Sequence, residues 1–146
     1  MGICSGGARI MAGLVTAMLL TGCAGAHWGA DEREQLLLAS DGYNALLRWK
    51  ELDKACSAFA EDSVRGGCLG RAGELKDLQI TDIRRRDLNF KVFGDVATVN
   101  IEIEYYLLPS MVVRKIQESQ RWVYLGTQDK RVWRITNPIS IVGLHL

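Results

Sequence analysis

The sequence predicts an α+β domain in which N-terminal helices pack on an antiparallel sheet of about four to five strands. Apolar residues recur at helical spacing from Leu36 to Leu47. From Leu75 onward the apolar period changes to two, and short turn segments separate the alternating runs. Helices followed by hairpin-linked strands are typical of an α+β fold with the helices on one face of the sheet. We expect this domain to cover residues 31–146.

A hydrophobic segment precedes the predicted domain. An apolar run from Ile10 to Leu20 follows the single positive charge of Arg9 and leads into the small residues Thr21 and Gly22. A basic start, an apolar middle and small residues before a cleavage site are the parts of a secretory signal. The run has 11 residues, whereas about 20 are needed to cross a bilayer, and it lacks the polar face of an amphipathic core helix.

The segment Leu20-Thr21-Gly22-Cys23 resembles the lipobox of bacterial lipoproteins. The resemblance implies that residues 1–22 are a signal peptide, that Cys23 carries lipid, and that residues 23–30 are a lipidated tether. Three acyl chains would hold the chain at a membrane permanently, since each buried methylene contributes roughly 0.8 kcal/mol. N-myristoylation is excluded because its motif needs Ser or Thr at position 6, where this sequence has glycine.

The expected location is the cell envelope, and the first expected partner is a membrane. Ala24 follows the cysteine, and in Gram-negative lipoproteins an Asp there commonly retains the protein at the inner membrane. For a Gram-negative cell, the resemblance therefore implies the outer membrane, facing the periplasm. Once Arg9 leaves with the signal, 17 basic and 17 acidic residues remain. This balance argues against a nucleic-acid partner. The other expected partner is an envelope protein or a small apolar ligand, and we expect no cofactor or metal.

Two cysteines remain in the domain after Cys4 leaves with the signal and Cys23 is taken as the lipid site. Cys56 and Cys68 lie 12 positions apart, in a chain expected to face an oxidising compartment where disulfides persist. We expect a disulfide between them. The alternative is two unrelated thiols, with Cys56 packing as a small apolar residue.

The helical part of the sequence divides into two helices and a loop. The first helix is predicted to begin at Asp31, where acidic residues suit the positive end of the helix dipole. Its apolar stripe shifts by one residue at Trp49, which indicates a kink or two helices joined near Arg48–Glu51, the second ending near Glu61. The glycines of Ser63–Gly73 match no phosphate-binding motif, so this stretch is predicted to be a flexible loop.

The strand part of the sequence shows alternating apolar and polar residues. The alternating runs are Leu78–Ile80, Leu88–Val92, Ala97–Ile103, Val112–Tyr124 and Arg131–Thr136. Turns are predicted at Gly94-Asp95 and Gly126–Lys130, and Pro109 breaks the chain between two of the runs. The apolar tail, residues 139–146, is expected to pack on the sheet edge or in a partner.

Six short segments are similar to those of small bacterial lipoproteins that share one fold. They are Tyr43-Asn44, Leu47-Arg48-Trp49, Ile80-Thr81-Asp82, Tyr105–Ser110, Gln120-Arg121-Trp122 and Val132-Trp133-Arg134. With the order of elements over roughly residues 31–137, they resemble the nuclear transport factor 2-like superfamily, also called cystatin-like. The resemblance implies a strongly curved sheet that wraps a long N-terminal helix and forms a cone with a pocket, but a fold does not define a function.

The resemblance also implies an enzymatic alternative, since the superfamily includes ketosteroid-isomerase-like and SnoaL-like enzymes with an acidic base in the pocket. The candidate acids are Asp82, Asp87, Glu102, Glu104 and Glu118. Asp82 follows Ile80 by two positions, in phase with the apolar face, and is the runner-up catalytic residue, although a structural hydrogen bond to the helix is favoured. Glu102 and Glu104 are expected to be solvated, and Arg84–Arg86 to form a solvated strand edge that keeps Asp82 ionised.

Aromatic side chains could line a ligand cleft or fill the core, and the core is favoured. These residues are Tyr43, Trp49, Tyr105, Tyr106, Trp122 and Trp133. The expected function is that of a membrane-anchored envelope lipoprotein acting as a non-catalytic binding or interaction module. The alternatives are an isomerase- or hydratase-like enzyme that uses Asp82, and a structural envelope component. An inward carboxylate beside a deep cavity would favour the enzyme, whereas a filled cone with a bare apolar edge would favour the binding module.

Overall fold

The computed structural model describes residues 26–90, 95–127 and 130–139. Its elements are α1 (Ala26–Arg48), α2 (Leu52–Phe59), α3 (Asp62–Gly70), a 3-10 helix (Ala72–Leu75), β1 (Leu78–Phe90), β2 (Val96–Leu107), β3 (Arg114–Thr127) and β4 (Lys130–Ile135). The predicted signal peptide, Cys23, Gly94 of the predicted turn and residues 140–146 of the tail lie outside the described residues. Within those ranges, no helix is both long and apolar enough to cross a membrane.

The long helix α1 has 23 residues and begins at Ala26, ahead of the predicted start at Asp31. Alanine has the highest helix propensity, and no proline stops the helix from including most of the predicted tether. The predicted break near Arg48–Glu51 is confirmed, because α1 ends at Arg48 and α2 begins at Leu52. The N-terminal part of the domain is therefore a long helix followed by shorter ones.

The short helix α3 occupies most of the stretch that the sequence predicts to be a loop, so that prediction is wrong. The Glu61 side chain accepts a hydrogen bond from the backbone N–H of Ser63 at 3.0 Å and caps the start of α3. A disulfide joins Cys56 of α2 to Cys68 of α3, with a Cα–Cα distance of 5.8 Å. This tertiary support offsets the low helix propensity of the glycines in α3.

The four strands form one antiparallel sheet in the order β1-β2-β3-β4, which confirms the predicted α+β class. The first alternating run and residues 88–90 of the second belong to the single 13-residue strand β1, and Lys91 and Val92 lie outside the described residues. Its pairing with β2 shifts register between Ile80 and Asp82 and again between Arg85 and Asp87. Irregularities of this kind bend a strand and increase its twist, so the sheet curls.

The helices cover one face of the sheet, and the core lies between them. Five buried residues of β2 alternate with half-buried ones, as predicted: Ala97, Val99, Ile101, Ile103 and Tyr105. Trp122 of β3 is fully buried, with its ring centroid 5.9 Å from that of Tyr43 on α1 and 6.4 Å from that of Phe59 on α2. These edge-to-face contacts join two helices to the sheet and fill the space between them.

The connection between α2 and α3 covers the edge of the sheet at Ile135, the last residue of β4. Ala60 forms a parallel bridge with Ile135, and the backbone N–H of Glu61 donates to the carbonyl oxygen of Ile135 at 2.9 Å. Farther along the chain, the backbone N–H of Ile139 donates to Tyr43 Oη at 2.9 Å. The end of the described chain therefore packs back against α1.

Candidate functional site

Asp82, the acid favoured from the sequence, lies on the outer face of the sheet. The register shift after Ile80 adds one residue to β1, so Asp82 pairs with Glu104 on the polar side of β2. Its Oδ2 atom accepts a hydrogen bond from Arg84 Nε at 2.7 Å, and this bond lowers the pKa of the Asp82 carboxyl. The predicted in-phase position and the predicted bond to the helix are wrong, whereas a neighbouring arginine does pair with the carboxylate, as expected.

The two glutamates of β2 are held in ion pairs rather than freely solvated, so that expectation is wrong. Glu102 pairs with Arg86, and its side chain is only 12% exposed. The hydrogen bond from Arg86 lowers the pKa of the Glu102 carboxyl. Glu104 Oε1 lies 3.2 Å from Lys115 Nζ. A carboxylate with a lowered pKa, such as that of Glu102, is a poor general base near neutral pH.

The three successive arginines of β1 divide between the two faces of the sheet. Arg84 and Arg86 are more than half exposed and pair with the acids of the outer face. Arg85 turns toward α1, where a guanidinium nitrogen lies 3.1 Å from Asp41 Oδ1. The exposure of the first and third arginines agrees with a solvated edge, and the second joins the sheet to the long helix.

Glu118 is the acid that lies on the core side of the sheet. It pairs across the sheet with the fully buried Ile101 and lies on the same face of β3 as the buried residues Gln120 and Trp122. Burial raises the pKa of Tyr43 above its usual range, and the charge of Glu118 raises it further. The sequence could have indicated this orientation, because Glu118 is two residues before Gln120 and four before Trp122, and side chains at this spacing share one face of a strand.

A buried polar cluster next to Glu118 connects α1 to β3. Ser40 Oγ donates to Gln120 Oε1 at 3.2 Å, and Gln120 Nε2 donates to Asn44 Oδ1 at 2.7 Å. Asn44 Nδ2 donates to Ser40 Oγ at 3.4 Å and closes the ring. The sequence did not indicate these three residues as a group. Because they satisfy one another in the interior, they fix the position of the helix on the sheet.

A polar cavity of about 730 Å³ opens beside Glu118. Its lining residues are Arg86, Asp87, Asn100, Ile101, Gln117, Glu118 and Ser119. Ser119 Oγ donates to Asn100 Oδ1 at 2.6 Å within this lining. Among the described residues, no group of His, Cys, Asp and Glu could hold a metal ion. The cavity offers one core-side carboxylate among polar and charged groups, and none of the predicted aromatic residues is in its described lining.

Of the six predicted aromatic residues, four are in the core, Tyr106 is half-buried and Trp49 is exposed. Tyr43, Tyr105, Trp122 and Trp133 are all buried. Trp49 is 77% exposed, so its prediction as a core or pocket residue is wrong. The helix ends one residue before it, and the turn that follows carries its side chain into solvent.

The start of α1 and the start of β3 lie at opposite ends of the domain. At one end, the start of α1 packs on the sheet: Trp133 Nε1 donates to the carbonyl oxygen of Glu32 at 2.9 Å, and Tyr124 Oη donates to Gln35 Oε1 at 2.9 Å. Tyr124 lies ten residues along β3 from Arg114, about 30 Å away at the usual rise of a strand. The beginning of β3 is therefore at the opposite end from the start of α1.

This opposite end carries the distal patch, which comprises Leu108, Met111, Val112 and Val113 in the connection between β2 and β3. All four side chains are exposed, from 45% for Leu108 to 72% for Met111. The backbone N–H of Leu108 donates to the carbonyl oxygen of Asp77 at 3.0 Å, which holds the connection beside the start of β1. Clustered apolar side chains at one end of a domain mark a surface suited to binding.

An apolar groove of about 340 Å³ lies at the same end, between the α1–α2 connection, the 3-10 helix and the start of β1. Its apolar lining residues are Leu47, Leu52, Leu75, Leu78, Ile80 and Ile139. Lys50 and Lys76 complete the lining. Because Leu78 pairs with Leu107, the groove lies close to the distal patch, which begins one residue later.

Comparison with known proteins supports the fold alone. No family model matches the chain, and no curated protein matches it either. A SEC-C motif containing protein from Psychrobacter arcticus is similar over 68% of this chain, with 12% identity and a TM-score of 0.50, and the match spans 58% of that protein. The intermembrane space region of chloroplast protein ARC6 has 13% identity and a TM-score of 0.38, over 68% of this chain and 92% of that one.

Proposed function

We propose that this chain is a lipid-anchored protein of the cell envelope whose domain binds a partner protein or a small apolar ligand and catalyses no reaction. The observation that carries the proposal is the distal patch, whose four apolar side chains are exposed together. Exposed apolar clusters mark interaction sites in soluble domains. The neighbouring groove adds a concave apolar surface of a size that a small ligand could use.

The lipobox-like segment supports the anchored location. Lipid on Cys23 would lie three residues before the start of α1 at Ala26. Since the start of α1 and the distal patch are at opposite ends of the domain, an anchor at Cys23 would present the patch away from the membrane. With Ala24 after the cysteine, the proposed location in a Gram-negative cell is the outer membrane, facing the periplasm.

A nuclear transport factor 2-like or cystatin-like cone is the proposed form of the domain. A curled antiparallel sheet beside a 23-residue N-terminal helix supports it. Where such a cone would hold a pocket, Tyr43, Phe59 and Trp122 contact one another and fill the interior. A filled interior with an apolar surface at one end favours binding at that surface over catalysis inside.

A second candidate is an isomerase- or hydratase-like enzyme in which Glu118 replaces Asp82 as the pocket acid. It is favoured by one observation, that Glu118 lies on the core side of β3 and lines the polar cavity. Ile101 is the one apolar residue in the described lining of this cavity, which therefore offers little apolar surface to hold the substrate of an isomerase-like enzyme. The enzyme is therefore the second candidate.

Complementation of a deletion strain with variants of the full chain separates the two candidates. Met111→Asp combined with Val113→Asp should abolish function without unfolding the domain, because both side chains are exposed. Val132→Asp is the matched control, since Val132 is 46% exposed on β4. Glu118→Gln should retain function. A functional patch variant would contradict the binding proposal, and loss of function in a normally folded Glu118→Gln variant would favour the enzyme.

A further inference from the structure

The apolar groove beside the distal patch has a distinctive charge. Six of its eight lining residues are apolar, and the other two, Lys50 and Lys76, are both basic. The acids that neighbour Lys76 in the sequence, Glu74 and Asp77, do not line the groove. Its described lining therefore combines an apolar floor with two cations, which complements a molecule with one apolar part and one negative charge.

Lys50 occupies a backbone position that favours glycine. Its φ is 61°, in the left-handed region. The backbone N–H of Lys50 donates to the carbonyl oxygen of Leu47 at 3.1 Å, and that of Glu51 donates to the carbonyl oxygen of Leu46 at 2.8 Å. These two bonds define a Schellman motif at the end of α1, in which the residue at the Lys50 position is usually glycine. A lysine there carries a steric cost, and such costs are concentrated at functional positions.

The two groove lysines are also available for a ligand. Among the ion pairs of the described residues, none includes Lys50 or Lys76. Nearby Lys54, by contrast, pairs with Glu51 at 2.7 Å and is not part of the groove lining. Lys50 and Lys76 both line the apolar groove and are both exposed, so an ammonium group there can bind an anion without leaving solvent.

We propose that this groove binds a long-chain fatty acid, with the acyl chain along the apolar residues and the carboxylate between Lys50 and Lys76. The volume of about 340 Å³ is at the lower end of the range for ligand sites, which suits a single acyl chain. The two cations select an ionised head group over a neutral one. This inference rests on the proposed binding function and assigns its ligand class.

The test uses the full chain in isolated membranes with a photoreactive palmitate, and cross-linked peptides are identified by mass spectrometry. The probe should label peptides that contain residues 47–52 and 75–80. A photoreactive hexadecanol of the same length should label them several-fold less, because it lacks the negative charge. Equal labelling by the alcohol, or labelling confined to other surfaces, overturns the proposal.

Variants of the lysines make the test specific. The double variant Lys50→Gly with Lys76→Gln should no longer prefer the photoreactive palmitate over the alcohol. Glycine at position 50 removes the steric cost of the left-handed backbone. A loss of labelling therefore cannot be assigned to unfolding. Lys54→Gln is the matched control and should label normally. Unchanged labelling of the double variant overturns the proposal, as does labelling that appears only when residues 140–146 are deleted. The binding function is tested separately on Met111 and Val113, so either idea can fail alone.

Discussion

Gln120 Nε2 donates a 2.7 Å hydrogen bond to Asn44 Oδ1, and this bond ties β3 to α1 in the interior of the domain. The same glutamine accepts a hydrogen bond from Ser40. A single side chain of the sheet therefore satisfies two polar residues of the long helix, and these residues would otherwise face a largely apolar core.

Replacing this glutamine should destabilise the fold. Gln120→Leu would keep a similar volume but leave Ser40 and Asn44 without their partner, which costs about 1–3 kcal/mol for a buried polar group. Chemical denaturation followed by circular dichroism measures the change. Gln117→Leu is the control, because Gln117 is exposed on the same strand. Equal unfolding midpoints for the two variants would show that the cluster does not support the helix.

The two tryptophans of opposite exposure should respond differently to truncation. Trp122 is fully buried, so Trp122→Ala should lower the free energy of unfolding by about 3–5 kcal/mol. Trp49 is mostly exposed, so Trp49→Ala should change it by less than about 0.5 kcal/mol. Urea titrations of both variants give the comparison. A large loss for Trp49→Ala would mean that its side chain packs against the domain.

The disulfide between Cys56 and Cys68 should be found by peptide mapping without reductant. Replacing both residues by alanine should cost about 3 kcal/mol, since the bridge closes a short loop of the unfolded chain. We expect the loss to fall mainly on α3, which contains three of the glycines. Hydrogen exchange of the α3 amides checks this location. Two alkylatable thiols in protein taken from the envelope would contradict the bridge.

The periodic parts of the chain could be predicted from the sequence because local spacing determines them. The alternation along β2 gave the correct buried face, and the one-residue shift of the helical stripe located the end of α1. The effects of helix capping and of tertiary contacts are harder to predict from local spacing. The glycines between Ser63 and Gly73 indicate a loop on propensity alone, whereas the Glu61 cap and the disulfide stabilise a helix.

The acids of the candidate site show a second limit of prediction. In a regular strand, Asp82 would face the same side as Ile80, two residues earlier. The register shift after Ile80 turns Asp82 to the opposite face of the sheet. A bulge of this kind leaves no clear mark in the alternation of residues. Glu118 lies in the regular strand β3, so its phase was readable there. Trp49 was misplaced because the apolar stripe continues past the residue where the helix ends.

The ion pairs of the outer face predict a loss of stability in acid. Arg84 and Arg86 lower the pKa values of Asp82 and Glu102 below the ordinary values of 3.8 and 4.5. The unfolded chain therefore binds protons first as the pH falls, and stability rises with pH in this window. The contribution of these ion pairs to stability is complete at a pH above the ordinary carboxyl pKa values. It disappears as the pH falls through the lower pKa values of the folded state.

Urea midpoints measured as a function of pH test this effect. Asp82→Asn with Glu102→Gln should give a shallower dependence on pH in the acid range. Glu74→Gln replaces an exposed acid outside these ion pairs and is the control. An unchanged slope in the double variant would show that the arginines do not favour the ionised carboxylates.

The lipid anchor gives a prediction about location. Wild-type protein should partition into detergent, and Cys23→Ala should leave an uncleaved or soluble form, because the proposed acyl chains attach at that residue. Mass spectrometry of the mature N-terminus checks the modification directly. Intact Met1 without lipid would end the lipoprotein interpretation, and fractionation to the inner membrane would contradict the proposed outer-membrane location.

The covered edge at β4 has a consequence for molecules held close together. An uncovered edge strand is a template on which another chain can add a strand and start aggregation. Ala60 and Glu61 already occupy the edge at Ile135, and β1 at the other edge has two register shifts and three successive arginines. Irregular backbone and like charge both oppose strand addition. Neighbouring copies crowded on one surface would therefore stay separate rather than merge into a continuous sheet.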